Sequence, residues 1–173
     1  MKICVFAASC DVGEQYSRAV RALGRRLGAQ GHALVFGGYG GGLMADIADG
    51  FADAGAEIIG VVPEFLEART ENHPGLTRII RTKTLSERKD EMIARADVFV
   101  AAPGGIGTLD ELFSILAMKA TGVLDKEVVF FNVDGFFDGL LQCLREMEAK
   151  GFLYSSLDAL YRVETPESLG LEL

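Results

Sequence analysis

The sequence has few cysteines, no long apolar run and no excess of positive charge, and each shortage closes off a class of protein. The three cysteines, Cys4, Cys10 and Cys143, are odd in number and form no CxxC pair, which argues against a disulfide framework or a zinc staple and for reduced thiols. Charged residues interrupt every apolar stretch well before the ~20 residues that a membrane span needs, so no membrane partner is expected. The first strand-like run starts at Lys2, which leaves no room for a signal peptide and makes the cytoplasm the expected location. A net charge of −8 repels phosphate backbones, so no nucleic-acid partner is expected and small substrates fit better. What is present, 173 residues with 49% hydrophobic and 24% charged, is the make-up of one globular domain over residues 1–173. A chain of this length can bury roughly 70% of its extended surface without covalent help.

Short β-rich apolar runs recur at Ile3–Ala7, Ala33–Phe36, Ile58–Val62, Ile79–Ile80, Val98–Ala102 and Val128–Phe131. Most are separated by stretches with helical spacing, such as Val20, Leu23 and Leu27, or Leu140, Leu141, Leu144 and Met147. Three helices should stop at Gly31, Gly55 and Gly151, where a left-handed residue is wanted before the chain turns apolar again. Strands that are apolar on both faces, as at Val98–Ala102, belong in a parallel sheet covered by helices on both sides. The fold class expected is therefore α/β: a Rossmann-like, doubly wound parallel sheet in three layers. The segment from Glu67 to Gly75 reads as a loop, and the tail after Tyr154 has no clear pattern.

In such sheets ligands sit at the carboxyl ends of the strands, where helix N-termini converge. Eight of the 21 glycines fall in two strand-to-helix turns, Gly37–Gly42 and Pro103–Thr108. Both turns can simply be tight, or both can wrap one anion through exposed backbone N–H groups. No Lys-Ser or Lys-Thr follows either turn, which excludes a Walker phosphate loop. A full GxGxxG is also missing, because Leu43 and Asp110 stand at the third glycine positions; Glu64, about twenty residues past the first cluster, is weak support for a dinucleotide site.

The stretch Arg78, Arg81, Lys83, Glu87, Arg88 and Lys89 is locally basic in an acidic chain and suggests an anion site. On a helix starting at Leu85, the apolar stripe runs through Met92, Ile93 and Ala96, with Lys89 inside it and Arg88 on its flank. These two cations either snorkel past the core or serve a ligand. Thr108 and Glu111 have the spacing of a capping box, which explains both; the same position also puts a carboxylate at the mouth of a glycine turn. His32 should open a strand and His73 lie in a loop, with no metal-binding or triad pattern around either. Arg18, Arg21, Arg25 and Arg26 read as the solvated face of the first helix, Cys4 and Cys143 as core, and Cys10 as a loop residue.

Arg88-Lys89-x-x-Met92 followed by Pro103-Gly104-Gly105-Ile106-Gly107-Thr108-x-x-Glu111 resembles the signature of the Lonely Guy family, the cytokinin riboside 5′-monophosphate phosphoribohydrolases often mislabelled lysine decarboxylases. Similarity runs through Cys4–Ser9, Gly37–Met44, Gly60–Pro63, Asn132–Gly135 and Gly151-Phe152. The resemblance implies a Rossmann-like homodimer that cleaves the N-glycosidic bond of adenine-type nucleoside 5′-monophosphates without a cofactor or metal. It assigns catalysis to Arg88 and Glu111. It assigns substrate binding to Lys89, Gly104, Gly105, Ile106, Gly107, Thr108, Ser9, Gly41, Met92 and Glu71, with Lys89 or Arg88 as countercharge to the 5′-phosphate. An apolar helix surface around Phe113, Leu116 and Met118 fits a dimer contact. Departures from the family pattern bear on substrate preference: Ala117-Met118-Lys119-Ala120 replaces the usual Thr-Trp-x-Gln, Tyr39 replaces a third glycine, and Thr70 stands where a binding Glu is expected. A non-catalytic carrier of a nucleotide or of molybdenum cofactor is the competing reading, and lysine decarboxylation a third.

Overall fold

A computed structural model of the chain describes residues 1–169. Seven strands form one sheet: β1 (Lys2–Phe6), β2 (Ala33–Phe36), β3 (Ile58–Pro63), β4 (Arg78–Thr82), β5 (Val98–Ala101), β6 (Glu127–Phe131) and β7 (Arg162–Glu164). Their order is β4-β3-β2-β1-β5-β6-β7 and every pairing is parallel. The chain first winds outward from β1 to β4 and then returns to lay β5 on the other side of β1. That reversal makes the β1/β5 boundary a topological switch point, the place where a crevice opens at the strand ends.

Helices α1 (Glu14–Ala29) and α2 (Gly42–Asp53) cover one face of the sheet. The other face carries α4 (Leu85–Arg95), α5 (Ile106–Ala120), α6 (Asp138–Ala149) and the short α7 (Leu157–Leu160), while α3 (Glu64–Glu67) follows β3. Alternation along β1 shows how the strands serve both layers: Ile3 and Val5 enter the first core, Cys4 and Phe6 the second. The expected three-layer, doubly wound arrangement is the one found. Gly31, Gly55 and Gly151 take positive φ values of 80°, 70° and 77° just past α1, α2 and α6, as their sequence context required. Among the described residues no helix is long and apolar enough to cross a membrane.

Several expectations need correction. Cys143 is exposed, because α6 buries Leu141 and Leu144 and a residue two places past Leu141 points about 200° away. Leu116 is buried against the sheet rather than on the outer surface, so among the three residues expected there only Phe113 is substantially exposed, with Met118 partly covered. Arg21 and Arg25 are not simply solvated: Arg21 pairs with Asp49 and Asp53 at 3.3 and 3.1 Å, and Arg25 with Asp53 at 3.1 Å, tying α1 to α2. These two helices touch backbone to backbone, since a Cβ on Gly50 would lie 2.3 Å from the Arg21 carbonyl oxygen. Strand β7 and helix α7 lie in the tail whose pattern was unclear.

Candidate active site

The carboxyl ends of β1, β2, β3 and β5 surround a cavity of about 460 Å³. From β1 come Ala7, Ala8, Ser9 and Cys10; from the first glycine turn, Gly37 and Tyr39; from the second, Gly105, Ile106, Gly107 and Thr108. The two turns therefore face one crevice. The side wall beyond β3 is made by Val62, Leu66, Thr70 and Asn72, and the floor by Met44, Arg88, Met92 and Glu111.

Arg88 and Glu111 meet here from separate helices. Arg88 Nη2 lies 3.3 Å from Glu111 Oε1, and the side chains are only 15% and 13% exposed. Arg88 leaves the stripe flank of α4 and turns its guanidinium under the end of β2 into the cavity, which settles its direction against snorkelling to bulk water. Its Nε–H is buried with no acceptor among the described residues, so the guanidinium is not a saturated structural clasp. Burial pushes the Glu111 carboxyl above the usual carboxylate range, and neighbouring Asp110 adds to the rise, while Arg88 and Lys89 pull it back.

The capping-box reading of Thr108 and Glu111 is overturned. Helix α5 starts at Ile106 with Gly105 as its N-cap and no side-chain cap, so Thr108 already lies within the first turn, buried, and Glu111 sits a turn further along. The same Thr-x-x-Glu pattern does cap a helix at Thr84 and Glu87: Thr84 Oγ1 accepts from the Glu87 N–H at 3.1 Å, and Glu87 Oε2 accepts from the Lys83 N–H at 2.7 Å. With no cap of its own, the first turn of α5 presents backbone N–H groups and the positive end of its dipole to the cavity mouth.

The basic stretch proves to be divided. Arg81 is held by Glu67, and Arg78 and Lys83 are on the surface. Lys89 Nζ lies 3.1 and 3.0 Å from the Asp110 carboxylate oxygens and 3.2 Å from Ser114 Oγ, and it does not line the cavity. Of this stretch, only Arg88 reaches the site. Ser9, Gly105, Ile106, Gly107, Thr108 and Met92 line the cavity together with Arg88 and Glu111, whereas Gly41, Gly104 and the exposed Glu71 do not. Gly41 is the N-cap of α2, and the Glu71 carbonyl accepts from the Gly40 N–H at 3.0 Å. Sequence reasoning did not single out Asn72 or Leu66 for the site, and Met44 and Val62 entered only within the similar segments Gly37–Met44 and Gly60–Pro63; Met44 arrives on the first turn of α2, the other three with β3 and the segment after it.

A parallel α/β sheet with an uncapped helix N-terminus and a largely buried Arg–carboxylate pair at its switch point defines a Rossmann-like protein with a charged crevice at the strand ends. The family model described as "Possible lysine decarboxylase" matches residues 44–170. The probable cytokinin riboside 5′-monophosphate phosphoribohydrolase LOGL9 of Oryza sativa subsp. japonica is 35% identical over 171 residues, covering 98% of this chain and 75% of that one. The cytokinin riboside 5′-monophosphate phosphoribohydrolase LOG2 of Arabidopsis thaliana is 35% identical over 156 residues, 90% of this chain and 73% of its own. Among solved structures, the molybdenum cofactor carrier protein of Chlamydomonas reinhardtii matches with a TM-score of 0.70 at 26% identity, over 94% of this chain and 88% of that chain. The molybdenum cofactor binding protein of Rippkaea orientalis shares the fold, with a TM-score of 0.71 at 20% identity over 97% and 91%. The chain belongs to the Lonely Guy family.

Proposed function

We propose that this protein is an N-glycosidase that hydrolyses adenine-type nucleoside 5′-monophosphates, giving the free base and ribose 5-phosphate. The observation that carries the reading is the largely buried Arg88–Glu111 pair opening on the same cavity as the α5 N-terminus. Family membership, with relatives named as phosphoribohydrolases, supports it.

The reaction passes through an oxocarbenium-like state at the anomeric carbon. Water adds to C1′ as the bond from C1′ to the base nitrogen breaks. Glu111, its carboxylate desolvated and hence more basic than usual, stabilises the positive charge developing on the sugar and takes a proton from the attacking water. Arg88 donates hydrogen bonds to the departing base, which gains its proton from solvent. The N–H groups at Gly105–Thr108 hold the 5′-phosphate, and the apolar side chains of Val62, Leu66, Met44 and Met92 accept the base. No cofactor enters the reaction.

The structural likeness to a molybdenum cofactor carrier favours a second reading, a carrier of a nucleotide or of molybdenum cofactor without turnover. A carrier has no need of a desolvated carboxylate beside a guanidinium. Decarboxylation through a lysine Schiff base finds no lysine in the cavity lining. The deciding experiment is product analysis across AMP, N6-substituted AMP and adenosine. Base release from the monophosphates far exceeding that from adenosine supports the hydrolase; equal rates overturn it, and ligand retained through gel filtration with no base released identifies a carrier.

A further inference from the structure

The wall beyond β3 contains a polar relay that neither Arg88 nor Glu111 uses. Arg81 on β4 donates to both oxygens of Glu67, Nε to Oε2 at 2.8 Å and Nη2 to Oε1 at 2.9 Å. Glu67 Oε1 in turn accepts from Asn72 Nδ2 at 3.1 Å. A carboxylate held ionised by a guanidinium only accepts, so Asn72 has to turn its NH₂ toward Glu67. The amide carbonyl is then the group left over, on a residue of the cavity wall, and Asn72 Oδ1 accepts from no described residue. The backbone cannot swing to change this. Gly40 N–H donates to Glu71 O at 3.0 Å, His73 N–H to Gly38 O at 2.8 Å, and the buried His73 ring is fixed by Asp49 at 3.1 Å.

Strand order gives this group its place along the substrate. From the end of β5, beside the α5 N-terminus, to the end of β3 is three strand steps, roughly 14 Å at the usual spacing. Arg88, against Gly37 at the end of β2, lies between. A nucleoside monophosphate with its phosphate at α5 and its glycosidic bond at Arg88 and Glu111 brings the far edge of its base to Asn72.

We infer that Asn72 reads the edge of the base through a carbonyl oxygen that Arg81 and Glu67 orient, and so selects purines bearing an N–H on the 6-substituent over 6-oxo purines. The inference rests on the nucleotide reading above. An N6-amine, mono-substituted or not, offers the required proton, whereas a 6-oxo purine in the same pose sets carbonyl against carbonyl at position 6 and can offer its N1–H to Asn72 only by shifting the ring. Asn72 touches the substrate; Glu67 and Arg81 are positioning residues.

The test compares AMP with IMP on wild type, Glu67→Gln and Asn72→Ala, by base release and by ligand-induced thermal shift. Wild type is expected to favour AMP at least about tenfold in kcat/KM. Glu67→Gln, whose amide can meet either end of Asn72, should narrow the ratio to about threefold or less, by raising KM for AMP more than it lowers kcat. Asn72→Ala should lose the preference as well. A wild-type ratio near one, or Glu67→Gln or Asn72→Ala retaining the wild-type ratio, overturns the inference. Preferential AMP binding that these substitutions erase, with no base released from either nucleotide, sinks the hydrolase reading and leaves this one standing.

Discussion

Gly37 and Arg88 compete for one space: a Cβ on Gly37 would fall 2.1 Å from Arg88 Nη2 and 2.6 Å from Met44 Cε. The bare backbone at the end of β2 is what lets the guanidinium pass beneath it toward Glu111. Gly37→Ala should therefore displace Arg88 by about an ångström and cut kcat about 100-fold, since misplacements of that size cost that much. Steady-state kinetics alongside a melting curve checks this; near-normal turnover would mean that the guanidinium position is not critical.

Arg88→Ala should reduce turnover strongly, because the guanidinium faces the cavity; stability should change little, because burial already favours the protonated Glu111 carboxyl, which needs no cationic partner once it takes up its proton. Arg88→Lys should fold and remain severely impaired, since a point charge does not replace a planar fork. Activity close to wild type in the Lys variant, with a destabilised Ala variant, would return Arg88 to a packing role.

Glu111→Gln should nearly abolish base release without unfolding the protein. The acid limb of the pH–rate profile should lie above the ordinary glutamate range, because burial favours the protonated carboxyl and the reaction needs the ionised one. The same shift sets a sign for stability. A carboxyl whose folded pKa is raised contributes stability below its unfolded pKa that is lost as pH rises through the folded value. The melting temperature of Glu111→Gln minus that of wild type should thus be more positive at pH 7 than at pH 4.

Leu85, Ile106 and Phe113 are 52%, 83% and 39% exposed on the adjoining helices α4 and α5, which is more apolar surface than these helices need in water. A homodimer mass is expected by light scattering at micromolar concentration, and Phe113→Asp should shift it toward the monomer. A monomeric wild type would refute the dimer.

Gly50→Ala should destabilise the fold without touching the site. Its Cβ would meet backbone atoms of α1, the Arg21 oxygen at 2.3 Å and the Arg25 nitrogen at 2.7 Å, which can yield only by moving the helix. A loss of about 3 kcal/mol, at the upper end of overpacking costs, should appear in denaturant melts with substrate preference unchanged.

What the sequence determined by itself is what short-range chemistry controls. Apolar runs, helical spacing and the stops at Gly31, Gly55 and Gly151 specified the β1–β6 framework, because period and φ requirements are local. Clustered glycines likewise marked the two turns of one crevice. Only the tertiary structure decided which charges meet. Arg88 and Lys89 are adjacent in sequence, yet one enters the cavity beside Glu111 and the other binds Asp110, because successive residues of α4 point about 100° apart and α5 packs on one side. Thr84–Glu87 and Thr108–Glu111 carry the same pattern, and only the place where each helix begins makes one a cap and the other part of the site. Asn72 had no local signal at all: its role follows from Arg81 and Glu67 being brought beside it by the β3–β4 crossover, a long-range pairing that no periodicity encodes.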